Sequence, residues 1–162
     1  MAPGRTRGRV AHLLKRRYPF TILFLAALLF SASEATAQIQ TRVRVIQASN
    51  VGMMIDSSLR DVHDELGSLF NFTSYRLLKD VNLSLIGNRP VEIPVHPGPT
   101  KRSLEISLVG EHRNTIELRI KIKREGAAIL NTQVRLASGR TILIGGPRHG
   151  EGVVILAISA RF

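Results

Sequence analysis

Cysteine is missing from the whole 162-residue chain, and tryptophan with it. Without cysteine there is no disulfide, no lipid-modified N-terminal cysteine and no thiolate nucleophile. Without tryptophan, and with aromatic residues at 5%, few flat side chains remain on which nucleobases stack. Acidic residues are also missing from one region, since none precedes Glu34. That region holds Arg5, Arg7, Arg9, Lys15, Arg16 and Arg17, then an apolar run from Pro19 to Phe30, then a polar stretch closing on Ala35-Thr36-Ala37.

A basic opening, an apolar core and a small-residue A-x-A site are the three parts of a cleavable secretory signal. The positive charge holds its end on the cytoplasmic side. The apolar run is about a dozen residues, whereas a membrane-spanning helix needs roughly 20. Residues 1–37 therefore read as a signal peptide and residues 38–162 as a single β-rich domain, with no transmembrane segment after cleavage. An uncleaved anchor is the alternative. Six of the 23 basic residues and one of the 12 acidic ones fall within residues 1–37, which leaves +6 on the rest of a chain whose formal charge is +11. An exported domain without cysteine depends on its apolar core, which fits the periplasm or cell envelope of a Gram-negative bacterium. Its interspersed charges argue against nucleic acid. The moderate positive field suits an anionic surface such as lipid headgroups or acidic polymers.

Alternation of polar and apolar residues marks most of this domain as strand. Gln40–Ala48 places Val43 and Val45 on one face and Arg42 and Arg44 on the other. One amphipathic helix is predicted over about 57–71, capped by Asp56, Ser57 and Ser58, with Leu59, Val62, Leu66, Leu69 and Phe70 on its apolar face. Strands follow at 73–78, 81–86, 91–95, 104–109, 115–123, 128–136, 141–144 and 153–158. Pro94 assigns the third of these to a sheet edge. The last two are apolar enough to be covered on both faces. The pattern predicts a mainly β (α+β) fold, an antiparallel sandwich or partly closed barrel with one early helix over a face or an end.

The eye-catching segment is Gly145-Gly146-Pro147-Arg148-His149-Gly150-Glu151-Gly152. As a loop it would form a candidate binding site in which Gly145, Gly146 and Gly150 let backbone approach an anion or peptide while Arg148 and His149 supply charge. The plain reading is a strand connection that needs positive φ angles and a proline stop. Arg119, Lys121, Lys123 and Arg124 form a candidate basic patch, joined by Arg135. The plain reading there is a solvated sheet face that discourages edge pairing. On the helix, Asp61, His63, Asp64 and Glu65 read as a solvated acidic face with Asp61 and Glu65 at i, i+4. No metal site and no cofactor are called for. There is no G-x-S-x-G, no H-E-x-x-H and no cysteine nucleophile, so no catalytic residue is assigned.

Leu130-Asn131-Thr132-Gln133-Val134-Arg135-Leu136-Ala137-Ser138-Gly139-Arg140-Thr141-Ile142-Leu143-Ile144-Gly145-Gly146 resembles the strand-turn-strand of the secretin outer-membrane channel family. There a T-x-V strand leads through Ser/Asp-Gly-x-Thr into a hydrophobic strand ending in Gly-Gly. Here no proline-rich gate segment follows Gly146. The resemblance implies a partner of an envelope secretion assembly. The terminal Leu156-Ala157-Ile158-Ser159-Ala160-Arg161-Phe162 is similar to the closing strand of bacterial outer-membrane barrels, but several strands fall short of the roughly 9–11 residues a barrel wall needs.

The sequence therefore points to an exported envelope protein acting as a non-catalytic binding or structural module. Its partner would be an envelope protein or an anionic surface. The alternatives are a small periplasmic enzyme or anion-binding protein using the 145–152 segment, and a small outer-membrane β-barrel. Oligomeric state and strand order stay open. N-terminal sequencing of the exported protein is expected to begin at Gln38, and a retained 1–37 segment would refute cleavage.

Overall fold

The computed structural model describes Met1 and residues 38–96 and 100–162, so the predicted signal lies outside the described residues. The strands belong to the unit Thr36–Phe162. Among the described residues eight strands run in chain order: β1 (Ile39–Ser49), β2 (Ser74–Leu85), β3 (Val91–His96), β4 (Arg102–His112), β5 (Thr115–Arg124), β6 (Ala127–Ala137), β7 (Thr141–His149) and β8 (Gly152–Arg161). They form two antiparallel four-stranded sheets, sheet A in the order β2-β1-β8-β7 and sheet B in the order β3-β4-β5-β6. The architecture is an open sandwich and not a closed barrel. Among the described residues no helix is long and apolar enough to cross a membrane.

The core follows from the period-two alternation of the strands. In β5, Ile116, Leu118, Ile120 and Ile122 point inward, as the alternation predicts. They meet Leu104, Ile106 and Leu108 of β4, and from sheet A Val43 and Val45 of β1 and Val154, Leu156 and Ile158 of β8. Fully burying each such aliphatic side chain contributes about 1.5–3 kcal/mol. Pro94 does lie on an edge strand, β3. Of the two strands expected to be covered on both faces, β8 is central and buried nearly throughout, whereas β7 is an edge and only half-buried.

The predicted strands 73–78 and 81–86 are one. β2 runs unbroken because Leu78 is an extra residue, Ile46 pairing with Leu77 and Val45 with Lys79. A bulge of this kind reverses the side-chain phase of everything beyond it. Tyr75 and Leu77 face the outer side of sheet A, while Val81, Leu83 and Leu85 face the sandwich core. The β5–β6 hairpin turns on Glu125 and Gly126, at φ 53° and 86°. Both values are positive, as a two-residue type I′ turn requires.

The helix covers the outer face of sheet A, but as two short pieces where a single helix over 57–71 is predicted. Ser57–Val62 is 3-10 helix, and α1 spans His63–Leu69. Asp56 caps the first piece, its Oδ1 accepting from the Ser58 backbone N at 3.0 Å. The break falls at Val62, whose φ of −124° and ψ of 5° leave the helical basin. The 3-10 geometry stacks residues three apart, so Leu59 and Val62 descend together beside Leu66. All three are buried on Ile46, Ala48, Tyr75, Ile155 and Ala157. Leu69, predicted on the same face, is 65% exposed. The chain turns extended at Phe70 before it can complete the turn.

Tyr75 holds the far end. Its buried hydroxyl donates to the Phe70 carbonyl at 2.6 Å and lies 3.2 Å from that of Leu66. Tyr75→Phe is expected to lower stability by about 0.5–1.5 kcal/mol and Leu66→Ala by about 2–5 kcal/mol. Chemical denaturation checks both values. Equal, negligible effects would mean that the helical layer is not part of the cooperative fold.

Candidate functional site

The outer face of sheet A is divided by what covers it. At one end the helical layer excludes water. At the other lies an open polar cleft of about 750 Å³ whose lining includes Gln40, Arg42, Asp61, Asp80, Asn82 and Arg161. Arg44 sits at the boundary. Its position on β1 faces outward, and the sequence reading leaves it in water, yet its side chain is only 2% exposed because the 3-10 segment lies over it. Asp61, on that segment, meets it with a contact of 2.6 Å between Arg44 Nη1 and Asp61 Oδ1. Asp61 therefore pairs with Arg44 across the layers, and the solvated acidic face predicted on the helix is interrupted there.

One pleat along β1, Arg42 grips Asp80 of β2 through both carboxylate oxygens, with Nε to Oδ1 at 3.0 Å. A two-pronged pair of this kind fixes direction as well as distance. The hydrogen bond from Arg44 holds the Asp61 carboxyl below the usual carboxylate range, and that from Arg42 does the same for Asp80. Arg161 makes no ion pair among the described residues. The cleft thus presents two neutralised pairs, one unmatched cation and two amides, Gln40 and Asn82.

A second surface lies at the end of the sandwich where β1 leads to the helix. Val51, Met53, Met54 and Ile55 are exposed there, Met53 at 92%. Their backbone is nevertheless fixed. Thr73 N donates to Asn50 Oδ1 at 3.2 Å and Thr73 Oγ1 to the Gly52 carbonyl at 2.7 Å. Tyr75 N donates to the Met54 carbonyl at 2.8 Å, and Asp56 N to the Tyr75 carbonyl at 2.9 Å. Gly52, at φ 78°, takes the left-handed turn that points the apolar side chains outward. Beside them runs a shallow groove whose floor includes Gln47, Ser74, Arg76 and Glu151. Sequence periodicity misses this surface because Gly52-Met53-Met54 carries neither strand nor helix phase.

The 145–152 segment is not a loop. β7 continues through His149, and the turn is confined to Gly150 and Glu151. A register shift between Gly145 and Arg148 absorbs one extra residue. At Gly145 and Gly146 the absent side chain makes room for neighbouring elements. A Cβ on Gly145 would lie 3.2 Å from the Phe70 ring, and one on Gly146 would lie 3.0 Å from the Val154 carbonyl and 3.2 Å from Ile122. Gly150, at φ 58°, is the residue the turn requires. Arg102 of β4 reaches this strand end, donating to the Arg148 carbonyl at 2.8 Å and lying 3.2 Å from His149 Nδ1.

The row on the outer face of sheet B mixes both signs. Lys121 and Lys123 both bind Glu105, and Lys123 also reaches Glu92 at 3.4 Å. Arg119 and Arg124 are exposed and unpaired among the described residues. The acids come from β3 and β4: Glu105 lies directly opposite Lys121, and Glu92 lies opposite Glu105. On the helix His63 Nδ1 lies 3.3 Å from Asp64. Among the described residues no cluster of His, Asp and Glu fits a metal ion.

No family model matches the chain, and neither does any curated protein. Among solved structures it resembles the T2SS secretin XcpQ from Pseudomonas aeruginosa, with a TM-score of 0.42 and 10% identity, over 88% of this chain and 63% of that one. The chain therefore spans less than two thirds of that neighbour's length, and the likeness to the secretin family is weak. The secretin-like stretch 130–146 covers β6 and β7, which are consecutive in sequence but lie in opposite sheets.

Asp61→Asn is expected to lower stability at neutral pH by about 1–2 kcal/mol, since it leaves a buried guanidinium poorly matched while solvent screens the exposed carboxylate side. Because the folded state lowers the Asp61 and Asp80 pKa values, their contribution is present above the ordinary carboxylate pKa of roughly 4 and is lost as pH falls through the lower folded values. Unfolding curves across acid pH should therefore slope less steeply in the variant. An unchanged slope would mean that Asp61 titrates alike in folded and unfolded chains.

Proposed function

We propose that this chain is an exported, non-catalytic protein-binding module of the bacterial envelope, and that Val51–Ile55 is its contact surface. The observation that carries this reading is the exposure of four large apolar side chains on a backbone already fixed by hydrogen bonds. A surface ordered in advance loses little conformational entropy on association. Methionine, unbranched and polarizable, adapts to the shape of an apolar partner. Contiguous exposed apolar patches rimmed by polar groups mark interaction sites.

The occupant is a protein and not a lipid surface. Glu151 lines the adjoining groove, and an anionic headgroup layer would repel it. Arg76 and Glu151 instead offer one charge of each sign, which fixes the register of a partner segment. The cleft at the other end supports a recognition role over acid–base work. A general acid or base functions with a pKa near the working pH, and Asp61 and Asp80 are pushed away from it. The basic composition of residues 1–17 and the A-x-A at Ala35–Ala37 support export.

Met53→Asp with Met54→Asp should reduce capture of an envelope protein partner by roughly tenfold or more, with an unchanged circular dichroism spectrum. Capture equal to wild type would remove this surface from the reading. Binding to anionic vesicles that the double variant abolishes, with no protein captured by either form, would replace the protein partner with a membrane.

A further inference from the structure

The sandwich has four edge strands, and they are not equally guarded against pairing. β3 is short, contains Pro94 and shifts register between Pro94 and His96. β7 shifts register between Gly145 and Arg148, a stretch that includes Pro147. β2 carries its bulge at Leu78, followed by Lys79 and Asp80, and Lys79 Nζ is tied to the Pro94 carbonyl at 3.0 Å. Bulges, prolines and charges are the devices by which natural sheets block edge-to-edge association.

β6 carries little of this. Its register shift, opposite Ile122 and Lys123, falls at Ile129 near the start of the strand. From Leu130 to Ala137 the edge is regular, contains no proline, and bears Arg135 as its one charge. Among the described residues β6 is hydrogen-bonded on one side only, to β5. Its inward residues Leu130 and Val134 are partly buried where they meet the core rim. An unpaired edge of this kind presents a row of backbone donors and acceptors.

We propose that β6 pairs with β6 of a second copy of this chain, antiparallel about a two-fold axis at Gln133, making one continuous sheet from the two copies of sheet B. The side chains are self-complementary in that register. On the inner face Leu130 meets Leu136 and Thr132 meets Val134, so apolar groups cover the exposed rim of both cores. On the outer face Gln133 meets its own copy, and Arg135 meets Asn131. No charge faces its like, and like charges directly opposite one another are what make such pairs unfavourable. A two-fold pairing is the commonest symmetry of homo-oligomers and uses one patch twice. The inference does not depend on Val51–Ile55, which lies at one end of sheet A.

The test uses the protein recovered from cells expressing the full chain. Sedimentation over a concentration series is expected to show a monomer–dimer equilibrium. Gln133→Lys sets two cations against each other on the axis and should weaken the dimer about tenfold, and Gln133→Glu should do the same. Mixing the two variants should restore association, a result that misfolding of either would prevent. Because the chain has no cysteine, Gln133→Cys should give a single cross-linked dimer on oxidation. A protein that stays monomeric at its highest soluble concentration overturns the proposal. So does a dimer unaffected by Gln133→Lys, which would place the interface elsewhere.

Discussion

The fold depends on one strand pair. β1 and β8 lie side by side at the centre of sheet A, in register from Gln40 opposite Arg161 to Ser49 opposite Gly152. Their inner faces supply nearly all of sheet A's buried share of the sandwich core, and their outer faces carry the helical layer and the floor of the polar cleft. The approach is close enough that a Cβ on Gly152 would lie 2.0 Å from the Ala48 carbonyl, so no larger residue fits without parting the strands. β2 and β7 are additions to either side of this pair.

Covering only half of the outer face has a chemical result. Where the helical layer lies on the sheet, Ile46, Ala48, Ile155 and Ala157 are dry. Where it stops, the same strands carry Gln40, Arg42, Ser159 and Arg161. Arg44 stands at the shoreline, and a buried guanidinium is tolerable only beside a matching anion. Asp61 is that anion, and it reaches Arg44 from the layer that causes the burial. The helical layer therefore docks by charge as well as by apolar contact, and the charge fixes its position along β1.

Much of this was legible in the residues. The alternation of β5 and the isolated Pro94 of β3 carry their meaning locally, so the strand-rich sandwich and one edge could be read directly. What escaped reading depends on distant partners. Leu78 reverses the phase of β2 only because Val45 and Ile46 lie opposite. Arg44 looks solvated until the 3-10 segment is laid over it. Gly145 and Gly146 carry the composition of a loop, but their small size serves Phe70 and Ile122, which approach from other elements. The basic row on β5 was visible, and the acids that neutralise Lys121 and Lys123 were not, because cross-strand register is not a local property of either strand. For the same reason Val51–Ile55 shows no pattern. Its hydrogen-bond partners lie more than a helix away.

Sheet B is a plain meander, each strand pairing with its neighbour in sequence, and sheet A is not. In time, the two halves of the sandwich are therefore unequal. Hairpins close over short loops, while bringing β1 against β8 means closing nearly the whole domain, at an entropic cost that grows with the logarithm of the loop length. Pairings that distant in sequence slow folding. When the chain emerges N-terminus first, all four strands of sheet B are available before β8 follows, and until then half of the core has nothing to rest against.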